Sequence, residues 1–175
     1  MEQRLLGRTG LKVSAVTLGG GGIGMVWGPT TDDECIETLK QAVAWGINIV
    51  DVAPVYGRGK AEEIIGRAWA ELEPKPLIAT KVFIMPGERS DLSGAVRRSL
   101  EMSLSRMHLD TVDVFQLHNQ VEVDEPISPR RLTLREVAGP RGVLEAMHRL
   151  KEEGLVRAIG ITGIARHDAV CQLLE

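Results

Sequence analysis

Three apolar runs in this chain end in an ionisable side chain. Ile47 to Val50 runs into Asp51, Leu77 to Thr80 into Lys81, and Val114 to Leu117 into His118. Tyr56, the sole tyrosine, follows Asp51 by five residues. A carboxylate, an ammonium, an imidazole and a phenol together handle a proton and an oxyanion. A free phenol of this type titrates near ~10. An ammonium beside a phenol favours the phenolate, and a carboxylate fixes that ammonium in place. In such a set Tyr56 is the general acid or base, Lys81 its tuner and Asp51 the support, while His118 donates a hydrogen bond to a carbonyl oxygen. None of the four is an activated nucleophile, so the other reactant, a hydride, must come from a cofactor. The competing reading is an Asp51–Lys81 ion pair that serves structure alone. Buried pairs stabilise weakly, and a third polar group with a phenol beside it is hard to explain by stability.

The elements that must position these residues follow from hydrophobic period and turn chemistry. Strands are expected at residues 14 to 18, 47 to 50, 77 to 80, 112 to 117 and 156 to 161. Thr31-Asp-Asp-Glu34 has capping-box form and opens a helix that stops at Gly46. A second helix runs from Lys60 to Leu72, with Pro74 and Pro76 beyond it. The third carries Leu92, Val96, Leu100, Leu104 and Met107 on one face. The fourth carries Val143, Leu144, Met147 and Leu150 and closes at Gly154; a fifth begins at Arg166. Strict alternation means a parallel sheet, either an open doubly wound one or part of an eight-stranded barrel. In a barrel the strand C-termini surround one mouth, where active sites are built. The stretch from Asn119 to Pro140 is too long for an idle connection.

Several other signals lead elsewhere or nowhere. Gly19, Gly21 and Gly24 fit the G-x-G-x-x-G dinucleotide pattern, but that motif needs its helix to open on the glycines. Here the cap comes only at Thr31, after Pro29, so the run reads as a loop that lets a ligand approach backbone. A formal charge of -3 on a chain that is 26% charged gives no electrostatic reason to expect nucleic acid or membrane as partner. The stretch from Val13 to Thr31 lacks charge but is broken by glycines and Pro29, and MEQRLLGRTGLKV is too charged for a secretion signal. The expected setting is cytoplasmic. Cys35 and Cys171 read as reduced, and no metal-type spacing occurs. His108, His148 and His167 fall on helices or helix ends. Arg130, Arg131 and Arg135 read as solvated surface of the long loop.

The segments VDVAPVYG, ATKV and FQLHN carry Asp51, Tyr56, Lys81 and His118 in an order and spacing that resembles the catalytic tetrad of the aldo-keto reductases. RLLGRTGLKVS…LGGGG and LEAMHRLKEEGLVRAIGITG are similar to that family's N-terminal hairpin and fifth-strand region. The resemblance implies a (β/α)8 TIM barrel, of which about five β/α units are present after an N-terminal β-hairpin. It implies interconversion of a small carbonyl compound or sugar with its alcohol or lactone, using NADP(H) or NAD(H). Gly20, Gly21, Gly22 and Asp51 are then expected near the cofactor. Thr162 and Gly163 stand where many members have Ser-Asn holding the carboxamide, and Thr-Gly is similar to the sugar-oxidising aldose and galactose dehydrogenases. Trp27, in the loop above the first strand, joins Tyr56, His118 and Asn119 as expected lining of the substrate pocket. A barrel of this type typically has ~250 residues, so residues 1–175 read as a single incomplete barrel domain lacking its C-terminal units. Open sheet edges would then favour self-association, and cofactor affinity would be poor although the chemistry is encoded. The alternative on the same fold is a non-catalytic cofactor-sensing or regulatory subunit.

Overall fold

In the computed structural model, which describes residues 1–164 and 166–174, β1 (Gln3–Leu5) and β2 (Lys12–Ser14) form an antiparallel hairpin. There follow β3 (Leu18–Gly19), α1 (Asp32–Ala44), β4 (Ile49–Asp51), α2 (Lys60–Ala68), β5 (Leu77–Val82), α3 (Leu92–Met107) and β6 (Val112–Leu117). A decorated loop carries β7 (Val121–Glu122), β8 (Leu132–Thr133) and α4 (Leu134–Ala138). Then come α5 (Val143–Glu152), β9 (Val156–Ile161) and α6 (His167–Leu174). β3, β4, β5, β6 and β9 make one parallel sheet in that order. A doubly wound sheet reverses its strand order at a switch point. Here the order never reverses, so the sheet is five strands of a barrel wall.

The helices cover the outer face of that sheet, as a β/α wall requires. Leu39, Ile64, Ile65, Leu100, Met107 and Met147 from the helices bury fully in one cluster with Phe115 and Leu117 of β6. Each such side chain contributes about 1.5–3 kcal/mol on leaving water. On the inner face Leu11 of the hairpin packs with Ala79, Val114 and Ala158, so the hairpin plugs the end of the wall opposite the strand C-termini.

The capping box at Thr31 forms as expected: its Oγ1 accepts from the Glu34 N–H at 3.3 Å, and the Glu34 carboxylate accepts from the Thr31 N–H at 2.8 Å. Gly46 closes α1 with φ +84°. Two boundaries differ most from expectation. The first sheet strand is Leu18–Gly19, because Ser14 belongs to the hairpin. Asn48 pins it there, its Oδ1 accepting from Ser14 N at 2.6 Å and its Nδ2 donating to Lys12 O at 3.0 Å. The second helix ends at Ala68 and tightens into a 3-10 turn at Trp69–Glu71. The Lys75 ammonium collects the freed carbonyls of Trp69 and Leu72 at 2.5 and 2.8 Å.

Glu62 ties α2 to the layers around it. It is fully buried, accepts from Thr80 Oγ1 at 2.6 Å and pairs with the Arg106 guanidinium at 2.7 Å. Removing one partner of a buried pair strands the other charge and costs about 3–5 kcal/mol. Arg106→Leu should therefore lower the unfolding free energy obtained from a urea titration by that much. The double variant Glu62→Leu, Arg106→Leu should lose less, since no charge is left buried alone.

Candidate active site

The strand register builds the site. Asp51 lies opposite Ala79, and Lys81, one pleat further along β5, lies opposite Gln116. Period-two alternation therefore turns Lys81 and Gln116 to the same inner face. Lys81 is 3% exposed, and its ammonium is held from three directions. It donates to the Asp51 carboxylate oxygens at 2.9 and 2.8 Å and to the Val52 carbonyl at 2.8 Å. Its remaining neighbour is the Tyr56 hydroxyl at 3.4 Å. Tyr56 starts a 3-10 turn, Tyr56–Gly59, anchored by its N–H on the Ala53 carbonyl. The His118 ring stands edge-on to the Tyr56 ring, 5.9 Å between centroids. Asp51, Tyr56, Lys81 and His118 thus converge at one end of the wall.

Burial, and after it the Lys81 ammonium, holds the pKa of His118 below the ordinary 6.5, with the Asp51 carboxylate acting the other way. A proton titration of the ring by NMR should show its inflection below that value. The unfolded chain then binds a proton that the folded chain resists. The stability His118 preserves is present above ~6.5 and is lost as pH falls from there through the folded value. Urea midpoints taken across that window should fall less steeply for His118→Asn than for the parent chain.

The glycine run is used by the chain itself. Gly20 N–H donates to the Asp51 carbonyl at 2.7 Å, and a Cβ there would fall 2.5 Å from Val52 Cγ1. A Cβ on Gly24 would fall 2.9 Å from the Tyr56 backbone. Gly21 lies against the Trp27 indole, and only Gly22 of this trio faces open space. The glycines thus let the first loop press onto the segment that presents Tyr56. At the far side, Thr162 N–H donates to the Leu117 carbonyl at 3.0 Å. Its hydroxyl and the His118 Nδ1 are buried without a hydrogen-bond partner among the described residues. Gly163 sits at φ +64° and is exposed.

A cavity of about 850 Å³ opens beside His118, walled by Phe83, Met85 and Ile164 among others. Of the four residues expected to line a substrate pocket, His118 alone borders this cavity. Trp27 is 84% exposed and lies outside it. Asn119 is buried, its amide spent on backbone: Oδ1 accepts from Ile84 N at 2.7 Å, and Nδ2 donates to the Ile84 and Arg130 carbonyls. Tyr56 meets the cavity through its contact with His118. Arg130 and Arg131, expected as plain surface, border the cavity with Arg58. Gln116 was also missed. Its Nε2 donates to Asp51 Oδ1 at 3.4 Å, and the two-residue step back from His118 along β6 is the signal that would have found it. No cluster of His, Cys, Asp and Glu that could hold a metal occurs among the described residues. No helix there is long and apolar enough to cross a membrane.

A β/α barrel wall with acid–base side chains gathered at its strand C-termini is the class this architecture defines. The chain belongs to the Aldo/keto reductase family, whose model matches residues 15–175. It is 35% identical to an L-galactose dehydrogenase of Arabidopsis thaliana, over 94% of this chain and 49% of that protein. It is 29% identical to an NADH-specific methylglyoxal reductase of Escherichia coli, over 94% of this chain and 52% of that one. Among solved structures, a thermostable aldo-keto reductase in complex with the inhibitor epalrestat superposes with a TM-score of 0.74 at 32% identity, covering 99% of this chain and 58% of that one. The chain spans about half the length of the curated relatives it matches.

Proposed function

We propose that this chain carries the reacting groups of an NAD(P)(H)-dependent oxidoreductase that interconverts an aldehyde, ketone or aldose with an alcohol or lactone. The observation that carries the reading is the Lys81 ammonium, clamped by Asp51 and Val52 with the Tyr56 hydroxyl as its outermost neighbour. In reduction Tyr56 gives its proton to the carbonyl oxygen. Lys81 stabilises the phenolate left behind, and Asp51 keeps the ammonium from turning away. His118, held neutral, donates a hydrogen bond that orients the carbonyl without supplying a competing acid. A nicotinamide bound at this mouth supplies the hydride. The unpartnered Thr162 hydroxyl would hold its carboxamide, with Asp51 and the Gly20 to Gly22 loop as the further residues of the site. The names of the two curated relatives, a sugar dehydrogenase and an NADH-specific reductase, support the substrate class and the cofactor class.

The test is loss of NADPH or NADH absorbance on addition of aldehydes, and its gain from NADP or NAD on addition of aldoses, at millimolar cofactor. Turnover in at least one direction is expected. A chain that binds cofactor and turns over neither class overturns the reading.

A further inference from the structure

We infer that the cavity beside His118 takes a carbonyl compound bearing an anionic group, a carboxylate or a phosphate, with Arg58 and Arg130 as its anchors. The inference rests on the reading of Tyr56 and His118 as the groups that meet the carbonyl. Three arginines border the cavity and, among the described residues, no acidic one does. Arg131 is neutralised, paired with the buried Glu122. Arg58 and Arg130 form no ion pair with any described residue, so two uncompensated guanidinium groups face a space shared with His118.

Both are fixed through their backbones. Arg58 is held in the left-handed region at φ +57° between Gly57 and Gly59, two residues after Tyr56. A side chain rarely adopts that conformation without support. Gly57 makes room for it, because a Cβ there would fall 2.2 Å from the Gly24 carbonyl oxygen. Arg130 is pinned at both ends of its peptide unit: its carbonyl accepts from Asn119 Nδ2 at 2.9 Å, and its N–H donates to Ser128 Oγ at 3.3 Å. The short β7–β8 ladder, with Val121 opposite Leu132, then locks the loop that presents it. Phe83 and Met85 supply an apolar wall for the body of the compound. Guanidinium groups hold carboxylate and phosphate through paired N–H donors, which is the recognition this lining offers.

The experiment titrates the full chain by calorimetry with benzaldehyde, para-carboxybenzaldehyde and para-formylphenyl phosphate, which share one carbonyl and differ in charge. NADPH-dependent reduction of each is followed separately. At least one charged aldehyde should bind about tenfold more tightly than benzaldehyde or better, and the margin should shrink with added salt. The double variant Arg58→Ala, Arg130→Ala should abolish the margin. Replacing the helix-face pair Arg97 and Arg98 by alanine should preserve it. The arm that shows the larger margin tells carboxylate from phosphate. Equal binding of all three, or no binding, overturns the inference, and so does a margin that survives the Arg58 and Arg130 changes. Reduction of benzaldehyde without any charge preference leaves the reductase reading standing and sinks this one. A charge preference without reduction of any compound does the reverse.

Discussion

Tyr56→Phe should leave the fold and cofactor binding intact and lower carbonyl reduction by about 10²–10⁴-fold, the usual worth of one placed general acid. The change removes a single oxygen. Among the described residues its only hydrogen-bond partner is the Lys81 ammonium at 3.4 Å, and that ammonium keeps its bonds to Asp51 and Val52. The ring still meets His118 edge-on. A loss confined to turnover, with the thermal midpoint and NADPH titration unchanged, is therefore the expected pattern. A cofactor-sensing subunit built on the same fold would keep its output in this variant, because sensing does not require the proton.

Lys81→Met should cost activity on a similar scale, for a different reason. The phenol remains, but the charge that stabilises the phenolate is gone and the Asp51 carboxylate loses its partner. Because Tyr56 and Lys81 act as one unit, their losses should not multiply. The double variant Tyr56→Phe, Lys81→Met should be no more than about tenfold slower than the worse single one. Independent roles would instead give the product of the two losses. Lys81→Met also leaves the Asp51 carboxylate without its ammonium, so its unfolding curve must be read beside its rate. Lys81→Arg supplies the check: it restores the charge without the compact geometry, and should recover stability far better than turnover.

Much of this site is legible in the sequence because its residues break a local rule. An acid, a base and an imidazole closing three apolar runs are conspicuous, and strand alternation brings them to one mouth. The capping box at Thr31 and the stop at Gly46 are equally local, and both form as read. What escapes depends on partners far along the chain. Asn119 looks like an open polar neighbour of His118 until its amide is seen bonding Ile84, thirty-five residues away. Nothing in the pattern of the second helix singles out Glu62, which Thr80 and Arg106 enclose. Arg130 and Arg131 read as loop surface because nothing local says that a two-residue ladder folds that loop back over His118. The early start given to the first strand has the same origin, since Ser14 is claimed by Asn48. The glycine run is a subtler case: its need for close backbone approach is visible in the sequence, but the backbone approached is the chain's own.

In the proposed reaction hydride reaches the carbonyl carbon while Tyr56 gives its proton to the carbonyl oxygen. The most direct test is to incubate the chain with deuterium-labelled NADPH and an aldehyde in ordinary water and analyse the alcohol by mass spectrometry. The account predicts one deuterium on the carbonyl carbon of the product from the parent chain, and little labelled alcohol from Tyr56→Phe. Equal label from both chains, or none from a parent chain shown to hold NADPH, would contradict it.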